Sequence, residues 1–378
     1  MTAFSSALES ACSPVVFRAD GGETIGLGHI MRCLAVAEAL MERETPCFFA
    51  ATALPDAAER RLAASGAGVI RLNGPAGGDG DRAATVALAV HARAVVLDGY
   101  DFGTDYRVAV AAAGRPVLAF DDGAFTGPHP PGPLSAALVV NASPGAGPAD
   151  YAVSAPGARL LLGPAHAPLR REIRQAAARP LPPLDGRRSI LLTFGGSDPL
   201  ALTAPCIRLL APRLPPGVRL AAVVGGGSPW LEACRAAAAP FGERVAVHYD
   251  TPAMGDLMAG AGLAVSAAGG TVAELAALAV PALLAVVADN QASAAAAVGA
   301  AGMPAWCRVV DVRGGGQEAA ARVTAAALAL WDDSTRRLSM SDATRGRVDG
   351  QGAGRIAQAL LDAMDVTVGG RGNAGPSS

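Results

Sequence analysis

The stretch VVFRADGGETIGLGHIMRCLAVAEAL, residues 15–40, contains the features that decide the fold class of this chain. It opens with a short apolar run that is typical of a buried strand. From Ile30 onward, apolar residues recur every three or four positions, which predicts a helix over residues 29–41. The turn before this helix ends in GLGH, which places two glycines beside His29. A strand that passes through a turn into a helix is the repeating unit of α/β folds.

Alternating strand and helix patterns continue along the chain, and their apolar runs are typical of parallel strands buried on both faces. Segment 178–188 interrupts the alternation with three prolines and a glycine, as an interdomain linker would. We therefore predict two α/β domains, residues 14–178 and 189–330, followed by a helical extension and a flexible tail over 331–378. The predicted strands are 15–19, 94–98, 116–120 and 137–141 in the first half and 189–194, 218–224, 244–249, 263–268 and 280–288 in the second, with a last helix at 350–363.

Composition excludes several classes of protein. The formal net charge is −2 and 17% of the residues are charged, so the chain lacks the basic footprint of a nucleic-acid-binding protein. The six cysteines show no metal-ligand spacing and mostly lie in apolar runs, as buried thiols in a reducing compartment do. The N-terminus has no basic region before an apolar run, and no apolar stretch is suited to cross a bilayer. We expect a cytoplasmic protein without membrane insertion.

The candidate functional residues follow the predicted strands. In open parallel sheets, ligands bind beyond the carboxyl ends of the strands, and two such edges facing each other would form an interdomain cleft. These positions are unusually polar here. In the first half they are Asp20, Gly26 to His29, Asp98, Tyr100, Asp121, Asp122 and Asn141, and in the second Gly195, Gly196, Ser197, Asp198, Gly269, Gly270, Thr271, Glu274, Asp289, Asn290 and Gln291.

Three glycine-rich turns precede helices in the second half: GGSDP at 195, GGGSP at 225 and AGGTVAEL at 268. Free backbone N–H groups and the positive end of a helix dipole suit a diphosphate. Glycine in such turns serves tight strand-to-helix packing equally well, so each turn taken alone leaves both interpretations open. The loop at residues 22–29 lacks the full G-x-G-x-x-G spacing, which weakens a dinucleotide-binding interpretation.

Carboxylates at these strand ends also have two interpretations. Glu274 stands three residues after Thr271, the spacing of a capping box, yet a carboxylate at this position could instead accept both hydroxyls of a ribose. Asp121 and Asp122 could suggest a metal site. Adjacent carboxylates point in diverging directions and no histidine is near in sequence, so turn capping is favoured for this pair.

His29 is the candidate general base. In the first turn of a helix, the dipole disfavours imidazolium, and a neutral ring can accept a proton. The alternative is a capping or core histidine, as for many single histidines. The neighbouring loop glycines permit close approach of a ligand, which favours the catalytic role.

Seven segments together resemble a known enzyme family. They are RADGGETIGLGHIMRCLAVAEAL, LDGYDFGTDY, VLAFDD, LVVNASPGAGPADY, LLLGPAHAPLRREI, LLTFGGSDP and SAAGGTVAELAALAVPALLAVVADNQ. The family is that of the UDP-2,4-diacetamido-2,4,6-trideoxy-β-L-altropyranose hydrolases of pseudaminic acid biosynthesis. The resemblance extends from about residue 15 to about residue 312, so the two ends of the chain fall outside it.

The resemblance implies a GT-B fold, in which two Rossmann-like doubly wound domains face each other across a cleft. It implies that His29 is the base and that Tyr100 contacts the substrate, an UDP-activated amino sugar. The second domain would hold UDP, with Glu274 on the ribose. The remaining substrate-binding residues that we predict, from the resemblance and from the strand-end positions, are Asp20, Gly28, Arg170, Gly196, Ser197, Asp198, Gly269, Gly270, Thr271, Asn290 and Gln291.

The expected chemistry needs no metal and no cofactor. UDP is a good leaving group, so a positioned water, a base and positive potential on the diphosphate suffice, and direct attack at the anomeric carbon inverts its configuration. A GT-B UDP-sugar glycosyltransferase is an alternative, in which His29 would deprotonate an acceptor hydroxyl. A second alternative is a non-catalytic nucleotide-sugar-binding protein, and a third, a nicotinamide dehydrogenase, is weakened by the incomplete glycine fingerprint.

Overall fold

The computed structural model of this chain describes residues 13–22, 26–122, 132–292 and 306–371. Its internal contacts divide the chain into two compact units. The first unit consists of Met1–Gly21, His29–Pro168 and Gln351–Ser378, and the second of Gly22–Gly28 and Leu169–Gly350. Each unit is built on one parallel sheet, as the apolar runs predict.

The first unit contains a seven-stranded sheet. Its strands are β1 (Val15–Ala19), β2 (Cys47–Ala51), β3 (Gly68–Arg71), β4 (Ala94–Asp98), β5 (Val117–Phe120), β6 (Leu138–Asn141) and β7 (Arg159–Leu162), and the helices among them are α1 (Gly28–Met41), α2 (Asp56–Ser65), α3 (Asp79–His91) and α4 (Thr104–Ala111). The spatial order is β3-β2-β1-β4-β5-β6-β7, with all pairings parallel. The strand order reverses between β1 and β4. This point is the topological switch, beside which open α/β sheets bind ligands.

Burial on both faces explains the continuous apolar runs of this sheet. β1, β2 and β4 are buried along their whole length. Phe17 of β1 stacks on Phe49 of β2, with ring centroids 5.0 Å apart. The four strands predicted in the first half of the chain and the helix predicted at 29–41 are confirmed. β2, β3 and β7 are additional to the strands predicted from the sequence.

Arg18, in β1, is the centre of a buried ion-pair network in the first unit. Its guanidinium donates to Asp81 through Nε at 2.8 Å and Nη2 at 2.7 Å, and its Nη1 lies 2.7 Å from Oδ2 of Asp20. The Tyr106 hydroxyl donates to Asp81 at 2.9 Å. Buried charges persist only when they are paired and hydrogen-bonded, so these contacts fix the start of α3 against the end of β1.

The second unit contains a six-stranded sheet of the same kind. Its strands are β8 (Ser189–Thr193), β9 (Arg219–Val224), β10 (Val245–Tyr249), β11 (Ala261–Ala267), β12 (Ala282–Val286) and β13 (Cys307–Asp311), and its helices are α5 (Arg171–Ala177), α6 (Thr203–Leu210), α7 (Leu231–Ala238), α8 (Met254–Ala259), α9 (Thr271–Ala277), α10 (Gly316–Asp332) and α11 (Ser334–Thr344). The order is β10-β9-β8-β11-β12-β13, all parallel. Its switch point lies between β8 and β11. The five strands predicted in this half are confirmed, and β13 is additional.

The end of the chain returns to the first unit. Its last helix, α12 (Gly352–Arg371), continues beyond the end predicted at residue 363. Arg355 Nη1 donates to the Ala165 carbonyl at 2.8 Å, and Arg159 pairs with Asp362 at 2.9 Å. Within the segment 331–378, predicted as a helical extension and a flexible tail, residues 352–371 are therefore one helix that contacts the rest of the first unit through Arg355 and Asp362. Residues 372–378 lie outside the described part.

The proline-rich segment 178–188 lies within the second unit, because that unit begins at Leu169. Leu184–Gly186 forms a 3-10 turn, and Arg187 is buried. α5, which precedes this segment, packs closely on α8, since a side chain at Gly255 would meet the Glu172 carbonyl at 2.4 Å. The sequence features of a linker thus occur here in a packed segment.

Candidate active site

The carboxyl edge of the first sheet brings a histidine and a carboxylate together at the switch point. β1 and β4 are neighbours, with Ala19 in register with Asp98. α1 begins at Gly28, so His29 stands in its first turn, directly after the loop that follows β1. His29 Nδ1 lies 2.5 Å from Oδ1 of Asp98. The structure thus joins two strand-end residues that the sequence identifies separately.

This contact determines which nitrogen of His29 can act as a base. Asp98 is fully buried and His29 is 6% exposed. An ionised carboxylate only accepts hydrogen bonds, so Nδ1 of His29 donates to it and Nε2 of the neutral ring remains an acceptor. A carboxylate that orients the imidazole in this way is the arrangement found in hydrolytic triads. His29 is therefore held in a defined tautomer, with Nε2 as its proton-accepting nitrogen.

Arg32 keeps the Asp98 carboxylate ionised. Burial alone would raise the pKa of Asp98, but the charge of Arg32 and the hydrogen bonds from Arg32 and His29 hold it well below its usual range. Arg32 donates from Nε to Oδ2 and from Nη2 to Oδ1 of Asp98, both at 2.6 Å. Arg32 is not among the site residues predicted from the sequence. Its signal was the spacing of three from His29, which places both side chains on one face of α1.

Arg32 also connects this pair to the end of β5. Its guanidinium donates to both carboxylate oxygens of Asp122, with Nη2 at 3.0 Å from Oδ2, and it lies 5.0 Å from the centre of the Phe120 ring. The Tyr100 hydroxyl donates to Oδ2 of Asp122 at 2.9 Å, and the Tyr100 ring contacts His29 edge-on, with centroids 4.8 Å apart. Tyr100, predicted from the sequence to bind substrate, therefore lies beside His29.

The two adjacent aspartates diverge, as predicted from the sequence. Asp121 accepts a hydrogen bond from the Tyr151 hydroxyl at 2.7 Å, whereas Asp122 binds Arg32. Asn141, at the end of β6, donates to the same tyrosine oxygen at 2.7 Å. Burial and the charge of Asp121 raise the pKa of Tyr151 well above its usual value. Both aspartates organise side chains at this edge, a larger role than the turn capping favoured from the sequence.

Asp20 and Gly28, both predicted to bind substrate, are placed differently. Asp20 is buried at the end of β1, and its Oδ1 accepts hydrogen bonds from the backbone of Thr52 at 2.7 Å and of Ala53 at 2.9 Å. With its ion pair to Arg18, this side chain fixes the loop after β2. Gly28 is exposed at the first position of α1. Contact with substrate remains a prediction for both residues.

In the second unit, the predicted ribose ligand Glu274 is held by an arginine. Arg170, just before α5, donates from Nε to Oε1 at 2.6 Å and from Nη2 to Oε2 at 2.7 Å. α9 is capped at Gly270, which has no side chain, so the capping-box interpretation with Thr271 does not describe this helix. Burial would lower the pKa of Arg170, but the charge of Glu274 and its hydrogen bonds raise it. The bidentate pair fixes the Glu274 carboxylate near the end of β11.

The contacts of the turn after β8 mainly stabilise the start of α6 and the packing of this turn on the turn after β9. Asp198 is buried, and its carboxylate accepts hydrogen bonds from the backbone N–H groups of Leu202 and Thr203, both at 2.9 Å, which anchors the start of α6. A side chain at Gly225 would come within 2.5 Å of the Gly196 backbone. Tight packing therefore explains the glycine at 225. Nucleotide contact by Gly196, Ser197 and Asp198 stays a prediction.

The glycines in the turn after β11 are not explained by packing, in contrast to Gly225. Gly269 and Gly270 are exposed, and a side chain at Gly270 would meet nothing within 4 Å. Packing does not require these two glycines, so their backbone is open to a ligand. Gln291, in the 3-10 turn that also contains Asn290, lies beside them, since a side chain at Gly269 would stand 3.9 Å from its Nε2. Its Oε1 accepts a hydrogen bond from the Val287 backbone at 3.0 Å.

Within residues 13–22, 26–122, 132–292 and 306–371, no group of three or more His, Cys, Asp and Glu side chains is arranged to hold a metal ion. No helix there is both long and apolar enough to span a membrane.

No protein-family model matches the chain, and no curated protein matches it. Solved structures do. Acinetobacter baumannii MurG is 19% identical, with 93% of this chain and 99% of that chain covered and a TM-score of 0.59. A putative UDP-N-acetylglucosamine 2-epimerase from Listeria monocytogenes is 16% identical, with 94% and 98% covered and a TM-score of 0.57. Anabaena HepE in complex with UDP-glucose is 16% identical, with 93% and 100% covered and a TM-score of 0.54.

At these identities the likeness concerns the fold. Two parallel sheets with the same order of strands about a switch point, together with these neighbours, confirm the predicted class. The chain has the GT-B fold, with two Rossmann-like α/β domains.

Proposed function

We propose that this chain is a UDP-sugar-processing enzyme, and specifically a hydrolase that releases UDP from a UDP-2,4-diacetamido-2,4,6-trideoxyhexose, a step of pseudaminic acid biosynthesis. The observation that carries the proposal is the His29–Asp98 pair, in which a buried carboxylate 2.5 Å from Nδ1 leaves Nε2 as a base. The sugar and the pathway are inferred from the family resemblance of the sequence motifs. Support for a UDP-sugar comes from the fold neighbours, one of which holds UDP-glucose.

The reaction can be written with the residues of this chain alone. Nε2 of His29 takes a proton from water, and the water oxygen forms a bond to the anomeric carbon. The bond between that carbon and the diphosphate oxygen breaks, and its electron pair leaves with UDP. Asp98 stabilises the imidazolium that forms. Attack and departure on opposite faces invert the anomeric configuration.

The nucleotide would bind in the second unit. In this proposal the Glu274 carboxylate accepts the ribose hydroxyls, and Arg170 holds it in place. The exposed backbone of Gly269 and Gly270 would face the diphosphate, with Thr271 and Gln291 beside it. Neutral N–H donors are suited to a departing anion without a metal.

The test is UDP release in the absence of any acceptor. A panel of UDP-diamino-trideoxyhexoses is incubated with the enzyme and followed by NMR, and the reaction is repeated in ¹⁸O-water. We expect UDP to be released, with ¹⁸O on the sugar and unlabelled UDP. Turnover that needs an added acceptor would instead assign a glycosyltransferase, and binding without turnover would assign a nucleotide-sugar-binding protein.

The base itself is tested by His29→Asn, which retains a polar side chain but removes the basic nitrogen. The rate should fall roughly 10²- to 10⁴-fold, the usual contribution of general-base catalysis, while UDP affinity is unchanged. His91→Asn, at the exposed end of α3, is the matched control and should leave the rate unchanged. A folded His29→Asn enzyme of wild-type rate would contradict the assignment.

A further inference from the structure

Five side chains at the carboxyl edge of the first sheet form one continuous network. Its members are His29, Asp98, Arg32, Asp122 and Tyr100, referred to below as the Arg32 network. Arg32 is the centre, because it donates to both carboxylates. His29 is bound to one end through Asp98, and Tyr100 to the other through Asp122. The network closes where the Tyr100 ring contacts His29.

The charges of this network bear directly on the state of His29. Two carboxylates, Asp98 and Asp122, and one guanidinium, Arg32, lie around the ring, together with the neutral side chains of Tyr100 and Cys33. Without Arg32, the imidazole would face two negative charges without the guanidinium that balances them. Such surroundings favour imidazolium, which cannot accept a proton from water.

The position of Arg32 strengthens this effect. Its Nη2 lies 3.3 Å from Nδ1 of His29, the nitrogen that donates to Asp98. Both groups are donors, so this close approach is not a hydrogen bond and places like charges together once the ring is protonated. Arg32 therefore opposes imidazolium in two ways: it neutralises carboxylate charge, and it repels the second cation.

We propose that Arg32 is a positioning residue that keeps His29 in the neutral, proton-accepting state and holds Tyr100 beside it through Asp122. This inference rests on the proposed function for its purpose, but its central claim concerns the protein alone. The alternative is that Arg32 has only a structural role and holds α1 against the ends of β4 and β5. A purely structural role would affect folding without selectively changing the protonation of His29.

The experiment follows the imidazole signals of the substrate-free protein by ¹⁵N NMR during a pH titration. The chain has five histidines, and the His29 signal is identified by its loss in His29→Asn. In Arg32→Met the titration midpoint of His29 should rise by roughly 1 to 3 pH units, the range over which a nearby charge moves a titration. Arg32→Lys, which keeps the charge, should remain closer to the wild type.

Asp122→Asn provides the opposite perturbation and a second route if Arg32→Met does not fold. Removing this carboxylate should lower the midpoint, because one negative charge near the ring is lost. Arg159→Met is the matched control, since this arginine makes an exposed pair with Asp362 in the same unit and should leave the midpoint unchanged. An unchanged midpoint in folded Arg32→Met, or an unchanged or raised one in Asp122→Asn, overturns the inference.

Activity gives a second readout. If the proposed function is correct, Arg32→Met should lose kcat at neutral pH and recover part of it at higher pH, while KM changes little. A purely structural defect would lower the rate at every pH. Failure of the proposed function would show as no UDP release by the wild type, a result that leaves the NMR titration interpretable.

Discussion

Replacement of Asp98 by asparagine is the sharpest test of the proposed role of His29 as a base. The two side chains have the same shape, but the amide can turn its NH₂ group towards Nδ1 of His29, which lies 2.5 Å from the carboxylate in the wild type. Nδ1 would then accept a hydrogen bond, and the proton would move to Nε2. The nitrogen that should accept a proton from water would already carry one.

The size of the effect follows from this change of tautomer. The equivalent replacement in a serine-protease triad lowers kcat about 10⁴-fold with the geometry intact, and we expect a loss of roughly 10³- to 10⁴-fold here. Arg32 also loses charge-assisted bonds to Asp98, so the fold should lose stability. Removing one partner of a buried ion pair costs about 3 to 5 kcal/mol of folding free energy. We expect a loss of stability no larger than this, because Arg32 retains its ion pair with Asp122.

The assay is single-turnover UDP release, with UDP affinity measured by calorimetry and unfolding followed in urea. Asp101→Asn, an exposed carboxylate in the loop after β4, is the matched control and should retain the wild-type rate. UDP affinity should be unchanged, because the proposed nucleotide residues lie in the second unit. A folded Asp98→Asn enzyme with a near-wild-type rate would refute the orienting role of this carboxylate.

The same variant should change the acid sensitivity of the fold. The pKa of Asp98 is held below its usual value, so its ionisation stabilises the native state above the unfolded pKa of about 3.9. That contribution is lost as the pH falls below this value. Asp98→Asn should therefore show a smaller loss of stability on acidification than the wild type.

Further predictions concern the nucleotide, the metal and the fold. Glu274→Ala should weaken UDP binding by about 1.5 to 3 kcal/mol, the range for a hydrogen bond to a charged group, and unchanged affinity by calorimetry would exclude the ribose contact. Enzyme treated with a chelator should retain its rate, and a loss reversed by magnesium would reopen the question of a metal. Arg18→Met should cost about 3 to 5 kcal/mol in urea unfolding because it leaves Asp81 buried without its cation. Gly225→Ala should destabilise by about 1 to 3 kcal/mol through its contact with the Gly196 backbone, and a neutral result would contradict the packing argument.

The sequence predicts the α/β class well because the signals for it are local. A run such as residues 15–19 is apolar throughout because both faces of a parallel strand are buried, and helix spacing after Ile30 depends only on the geometry of one helix. Short runs are harder to interpret. β3 has only four residues and is partly exposed at the edge of the sheet, so periodicity alone did not identify it as a strand.

Candidate residues could likewise be identified by position, since polar side chains after apolar runs all reach the carboxyl edge of a parallel sheet. The sequence alone thus determined the fold class and the strand ends, and it identified His29 as a candidate. It could not determine partners, because His29 meets Asp98 across 69 positions of the chain, Arg32 meets Asp122 across 90 and Arg170 meets Glu274 across 104. Strand order decides which ends are neighbours, and only burial then selects which charges must pair. For that physical reason the tertiary structure alone showed that Gly225 serves packing, that Asp198 anchors a helix, and that Arg32 connects Asp98, the partner of His29, to Asp122.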